Sequence, residues 1–256
     1  MELKILGHWA GAPMEGGATS SYLIADGDTR LLLDCGSGAL SLLQKSNLAQ
    51  QLDGIVISHM HADHYLDLVP YTSLCFLTQL QGKPWKKIKL YVPEANGKQV
   101  LADVDQLLFG NRDRFGMTFD VIAYKPEDAL DIGTLRVTFQ QTRHPGPCYS
   151  PRVTNGTKTL VYTADTGYYD ELITHAQHAD LLICESTFAY ENDMTTDHGH
   201  LTGTQAGQIA AQASVHRLIL THFGTSRADQ ARNWTSAKAA FPGAVDLAST
   251  EAVYLI

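Results

Sequence analysis

The chain has 256 residues, 44% of them hydrophobic and 18% charged, which is enough for one large globular domain with a substantial core. Its 19 Lys and Arg against 27 Asp and Glu leave a formal charge of −8, which argues against a non-specific coat for DNA or RNA. No apolar run approaches the ~18 residues of a membrane span, and the opening MELKILGHWAG carries no signal pattern, so a cytoplasmic protein without membrane contact is expected.

In chain order, short β-rich runs come first: LKILG (3–7), SSYLIA (20–25) and RLLLDC (30–35). The stretch 7–21 between the first two, GHWAGAPMEGGATSS, reads as a glycine-rich loop without the strand–GxGxxG–helix context of a dinucleotide site. A helix-like segment at 37–52 is followed by the strand GIVISH (54–59) and a second helix-like segment at 64–81. Then come IKLYVP (88–93), a helix at 97–109, TFDVIAY (118–124), LRVTFQQT (135–142) and TLVYTAD (159–165). A helix at 168–177 leads to DLLICES (180–186), a helix at 202–214 to RLILTH (217–222), and a helix at 227–241 to AVYLI (252–256). Helices distributed among many strands predict an α/β layered fold, read as a single domain over 1–256. The four cysteines, Cys35, Cys75, Cys148 and Cys184, form no C-x-x-C pair and are expected to be buried free thiols in a reducing cytosol.

Polar residues fall at one end of these strands. RLLLD ends in Asp34, GIVISH in His59, LVYTAD in Asp165, LLICE in Glu185 and LILTH in His222, while His144 closes LRVTFQQTRH. Ligand sites of open α/β sheets gather at the carboxyl edge of the strands, so these six groups are expected in one constellation. His59 and His61 stand at i and i+2 on an extended chain and point the same way. A helix beginning near Asp63 would redirect Asp63 and His64 to a second position. Taken singly, His144, Asp165 and His222 read as structural; as a set they complete two metal sites. His59, His61 and His144 would hold the first ion, Asp63, His64 and His222 the second, and Asp165 could bridge both. Imidazole and carboxylate without cysteine suit zinc, and also manganese or iron. Two such ions would bring the formal −8 to −4 and could make the site locally positive. Asp34 is read as a partner fixing the tautomer of a ligand imidazole, or as a strand-end cap.

The run His59-Met60-His61-Ala62-Asp63-His64, with His144, Asp165 and His222 downstream in that order, resembles the H-x-H-x-D-H signature of the metallo-β-lactamase superfamily. The likeness extends over most of the chain and implies a four-layer αββα sandwich with metals at one edge. A bridging Asp165 speaks against true β-lactamases, and the 34 residues after His222 are too few for the helical domain of glyoxalase II enzymes. The segment CESTFAYENDMTTDHGHLTGTQAGQIA resembles the ribonuclease Z and phosphodiesterase branch, and in particular small bacterial proteins of the YhfI type. That branch implies a pair of Glu185 and His200, the histidine protonating the leaving oxygen. Bacterial ribonuclease Z inserts a Gly/Pro-rich arm that grips transfer RNA; here only 19 residues separate Asp165 from Glu185.

The expectation is a dinuclear metal hydrolase with Asp63, Glu185 and His200 as its catalytic groups. Its expected substrate is a small or short-nucleotide phosphodiester rather than structured tRNA. Thioester or lactone hydrolysis on the same metals is the second reading, and a nucleic-acid-binding or regulatory module with structural metals the third. Oligomeric state stays open, a homodimer included. Four lysines, Lys83, Lys86, Lys87 and Lys89, beside Trp85 could grip phosphates or form a solvated turn. The loop from Pro145 to Arg152, with Tyr149, could wall the substrate or be a plain turn. Thr202 could simply cap a helix with His198 and His200 in solvent. His198 is read as a surface histidine, and His8 as a loop residue within reach of the site.

Overall fold

The computed structural model describes residues 1–190 and 199–256. Its first sheet contains β1 (Glu2–Trp9), β2 (Ala18–Thr19), β3 (Ser21–Asp26), β4 (Thr29–Leu33), β5 (Gly54–Val56), β6 (Ile88–Pro93), β7 (Phe119–Tyr124) and the late β15 (Val253–Leu255). They lie in the order β15-β1-β3-β4-β5-β6-β7, with β2 paired to β1. The second sheet contains β8 (Ala129–Ile132), β9 (Leu135–Gln141), β10 (Tyr149–Thr154), β11 (Thr159–Tyr162), β12 (Leu181–Glu185), β13 (Arg217–Thr221) and β14 (Ala244–Leu247), in reverse chain order.

Both sheets begin with antiparallel hairpins and continue with parallel strands, β4 to β7 in one and β11 to β14 in the other. Parallel neighbours need long crossovers, and the helices supply them. Three crossovers of the first sheet carry α1 (Ala39–Lys45), then α2 (Ala62–Tyr65) with α3 (Leu68–Leu80), then α4 (Gly97–Phe109) with α5 (Arg114–Thr118). Those of the second carry α6 (Asp170–Ala176), α7 (Gly203–Gln212) and α8 (Arg227–Ala240).

The near-continuous apolar strands follow from burial on two faces. Leu31, Leu33 and Val56 join Val137, Val153 and Val161 between the sheets. Leu32, Ile55 and Leu90 instead pack outward with Leu40, Leu43 and Tyr71 of the helices. The result is the expected αββα sandwich. The chain's four cysteines are all buried free thiols, and among the described residues no helix is long and apolar enough to cross a membrane.

Local differences have local causes. The strands β2, β8, β10 and β14 and the short α5 are absent from the sequence reading. In β10 the misleading residue is Pro151, which has no N–H for a ladder. It is tolerated because pairing with β11 begins only at Arg152. The expected helix over 37–52 stops at Lys45, since Asn47 turns into the left-handed region at φ 57. The segment 64–81 divides into α2 and α3, with α2 starting at Ala62, close to the expected helix entry.

Three strand ends bear on the site. Asp34, Ala164 and His222 adopt φ of 58, 52 and 56 at the carboxyl ends of β4, β11 and β13. Left-handed backbone costs a side-chain-bearing residue roughly 1–2 kcal/mol, and such strain gathers at functional sites. Here it bends the chain sharply at the sheet edge, at or just before a polar side chain.

Candidate metal centre

Asp34 organises the first sheet's contribution. Its carboxylate accepts hydrogen bonds from Ser58 N at 2.7 Å, Ser58 Oγ at 2.8 Å, His64 Nδ1 at 2.7 Å and Tyr162 Oη at 3.1 Å. The two roles considered for it coexist, because it caps the strand end and also fixes an imidazole. With its Nδ1 proton held by Asp34, His64 turns its Nε2 toward Asp165 Oδ1 at 3.3 Å and Asp63 Oδ2 at 3.5 Å.

The other donors converge on the same point. Asp165 Oδ2 lies 3.7 Å from His59 Nε2 and 3.8 Å from His144 Nε2. Its Oδ1 lies 3.4 Å from His222 Nε2, which in turn is 3.2 Å from Asp63 Oδ2. The His61 ring stands 4.7 Å from that of His59 and 4.8 Å from that of His144. His59, His61, His144 and Asp165 thus form one group of potential ligands and Asp63, His64 and His222 another. Each oxygen of Asp165 faces a different group. A third grouping, Asp165 with His200 and His222, is equally close.

These residues fit divalent ions. Two donors at about 2.0–2.1 Å from a tetrahedral zinc sit about 3.4 Å apart, in line with the separations above. His59 Nε2, His64 Nε2 and Asp165 Oδ1 are buried and make no hydrogen bond to any described residue, which is costly unless another group satisfies them. Burial and the neighbouring imidazoles hold His59 well below its usual range and His144 down at about 4, so both stay in the neutral, ligating form. Burial disfavours charge on Asp63 and Asp165, yet the surrounding histidines hold both carboxyls far below the ordinary range. His64 goes the other way: burial opposes its proton, but Asp165 and Asp34 raise it well above normal. That proton lies where a cation would compete with it.

Two glycines shape the site. Gly11 N–H donates to Asp63 Oδ2 at 2.8 Å, bringing the glycine-rich loop to the metal edge. At Gly36 a Cβ would stand 2.1 Å from Asp63 O and 2.2 Å from Thr19 Oγ1. Gly36→Ala is therefore expected to displace the backbone carrying Asp63. Overpacking of this kind costs roughly 1–3 kcal/mol. A lowered Tm together with reduced metal content per chain should be measured; unchanged values of both would show that the contact relaxes freely.

Beside the cluster, His200 Nδ1 donates to Glu185 Oε1 at 2.8 Å, and its ring lies 5.4 Å from His144 and 5.5 Å from His222. Burial works against its charge, but the Glu185 carboxylate lifts it to about 9. Glu185 is fully buried and also accepts from Thr166 N, Thr187 N, Thr187 Oγ1 and Leu201 N. Thr202 does cap α7, in a reciprocal pair with Gln205, without releasing His200 to solvent. His198 lies outside the described residues.

The lysines precede or open β6, at the amino edge of a sheet whose carboxyl edge carries the cluster. Lys86, Lys87 and Lys89 line a separate cavity of about 290 Å³ together with Asp53 and Asp120. Trp85 is committed to packing, its Nε1 donating to Thr118 O at 3.0 Å. Tyr149 and Arg152 belong to β10, not a loop, and Arg152 Nη1 donates to His175 O at 2.7 Å. The space next to His144 is instead a cavity of about 460 Å³ lined by Thr142, Arg143, His144, Pro145 and Gly199. His8 is the penultimate residue of β1 and is buried beside Trp9 and Phe223, with burial drawing it down to about 4. The sequence reading missed Gly11, Ser58, Tyr162 and Thr187. Only Ser58 and Thr187 carried a signal, as polar residues within two positions of a named histidine or glutamate.

The Beta-lactamase superfamily domain matches residues 29–223. A curated relative, the "Probable metallo-hydrolase YhfI" of Bacillus subtilis, is 36% identical over 99% of both chains. The crystal structure of this metallo-beta-lactamase fold protein superposes with a TM-score of 0.88, covering 99% of this chain and 98% of the other. A "Ribonuclease Z" of Salinispora arenicola is 26% identical over 94% of this chain and 92% of its own. Human tRNase Z, short form, shares the fold at a TM-score of 0.76 and 23% identity, covering 100% and 99% of the two chains. With a whole-length relative at this identity and a cluster of histidines and aspartates at the sheet edge, the chain belongs to the metallo-hydrolases of the beta-lactamase superfamily.

Proposed function

We propose that the protein is a dinuclear phosphodiesterase acting on small or short-nucleotide phosphodiesters. His59, His61 and His144 would hold one divalent ion and Asp63, His64 and His222 the other, with Asp165 placed to serve both groups. The nitrogen and oxygen donors favour zinc, with manganese or iron as alternatives. Bound there, such ions supply Lewis acidity, easing deprotonation of water and neutralising phosphoryl oxygens. Asp63 orients the attacking water from the rim of the cluster. His200, held through Nδ1 by Glu185, delivers its Nε2 proton to the leaving oxygen. Four buried free thiols favour a reducing compartment such as the cytoplasm.

The observation that carries this reading is the 2.8 Å pair of His200 and Glu185 beside the donor cluster. A protonated imidazole is useful where a poor alkoxide leaves and superfluous where a thiolate does. The relatives named ribonuclease Z support a phosphodiester substrate. Structured tRNA is disfavoured by the formal charge of −8 and by the short stretch between Asp165 and Glu185, whose 19 residues are taken up by α6, most of β12 and their short connections.

A screen of the metal-loaded protein tests this directly. Turnover of small phosphodiesters is expected, with weak cleavage of precursor tRNA at physiological salt. Turnover of thioesters or lactones but not phosphodiesters would make Glu185 and His200 incidental. Efficient 3′-end processing of tRNA precursors would overturn the preference for small substrates.

A further inference from the structure

We infer that the Thr187 hydroxyl is the positioning group for His222, and that it ties this histidine to the same carboxylate that holds His200. The inference rests on the dinuclear reading and concerns only this chain's own hydrogen bonds.

Thr187 stands two residues beyond β12, next to the sheet edge. Its Oγ1 is 2.9 Å from Glu185 Oε2, 2.8 Å from His222 Nδ1 and 3.0 Å from His222 O. A hydroxyl has one hydrogen to give. The buried carboxylate is a stronger acceptor than a peptide carbonyl or a neutral ring nitrogen, so the hydrogen goes to Glu185 Oε2. The oxygen can then only accept from His222, which places the ring proton on Nδ1. The lone pair is left on Nε2, facing Asp63 Oδ2 at 3.2 Å and Asp165 Oδ1 at 3.4 Å. A bare nitrogen against two carboxylate oxygens requires a cation between them.

The rival arrangement reverses every bond. If Thr187 donated to Nδ1, the ring proton would sit on Nε2 and be given to Asp63, and no ion would be needed. Glu185 Oε2 would then lose its hydroxyl donor and keep only the longer amide contacts, 3.2 Å from Thr187 N and from Leu201 N. The first arrangement also matches the opposite side of the site, where Asp34 holds the Nδ1 proton of His64. There the holder is a carboxylate; for His222 it is a hydroxyl relaying to one. Glu185 consequently serves both partners, His200 through Oε1 and His222 through Oε2.

The test is stepwise zinc binding to the full-length protein, measured by competition with a chromophoric chelator, in wild type, Thr187→Val and Thr187→Ser. Partners that orient a metal-binding histidine typically contribute ~10–100-fold in affinity. Thr187→Val should weaken one of the two steps by that factor and change the other little. Thr187→Ser should restore it, which a loss of methyl packing alone would not. Histidine ¹⁵N shifts of the metal-free wild type above neutral pH give a check that needs no variant, and His222 should be protonated at Nδ1. Two wild-type steps that are both unchanged in Thr187→Val, or an Nε2–H tautomer, would overturn this inference alone. A wild type that binds at most one zinc would overturn the dinuclear reading and this inference with it.

Discussion

Asp165→Ala is expected to release one or both metal ions and nearly abolish turnover. Asp165 is 2% exposed, and its two oxygens face different groups of histidines: His59 and His144 on one side, His64 and His222 on the other. Without the carboxylate, four imidazoles converge on a cavity with no bridging anion. Charge stabilisation by a bound metal is worth several kcal/mol in such reactions. At ~1.4 kcal/mol per tenfold, its loss corresponds to a rate reduction of ~10³-fold or more. Elemental analysis should give two ions per chain in wild type and fewer in the variant. Asp165→Asn keeps the shape but removes the charge, so an intermediate metal content is expected. Retention of two ions and of wild-type rate by Asp165→Ala would refute the bridging role.

His200→Ala should lower kcat on phosphodiesters while leaving both ions bound. Its Nδ1 is engaged by Glu185, and neither principal group of donors needs it. A positioned general acid contributes ~10²–10⁴-fold. The loss should shrink for nitrophenyl esters, whose leaving groups need little protonation. Glu185→Gln should act in the same direction but more weakly, since Glu185 holds the imidazole and transfers no proton. The pH dependence has a definite sign. An acid works only while protonated, so the His200-dependent rate falls as pH rises through the value that Glu185 lifts to about 9. Nearby cations push that value down, so the alkaline limb should appear at or below pH 9 and vanish in His200→Ala. A fully active variant on a poor leaving group would reduce His200 to a helix-entry residue. Loss of metal would instead favour the grouping of His200 with Asp165 and His222 as ligands.

The local part of this molecule was legible in its residues. His59, His61, Asp63 and His64 are covalently close, so strand and helix geometry alone brings them together. Apolar runs such as LLIC and LILT show burial on both faces, and parallel strands between helix layers align their carboxyl ends. Asp34, His144, Asp165, Glu185 and His222 therefore had to meet at one edge. Pairings across long sequence gaps leave no such periodic trace. Asp34 meets Tyr162, Gly11 meets Asp63 and Thr187 meets His222 only because the folded sheets and the glycine-rich loop bring their backbones side by side. The lysines beside Trp85 could grip phosphates or form a solvated turn on residue type alone, and only the direction of β6 puts them at the edge opposite the cluster. β10 stayed hidden because local rules weigh Pro151 against a strand, whereas Pro151 pairs with β9 and the ladder to β11 begins one residue later. Residue types and spacing determined the chemistry available and the edge where it gathers. Tertiary packing alone decided which hydroxyl, amide and carboxylate hold each imidazole, because hydrogen-bond partners are set by distances of about 3 Å between segments far apart in the chain.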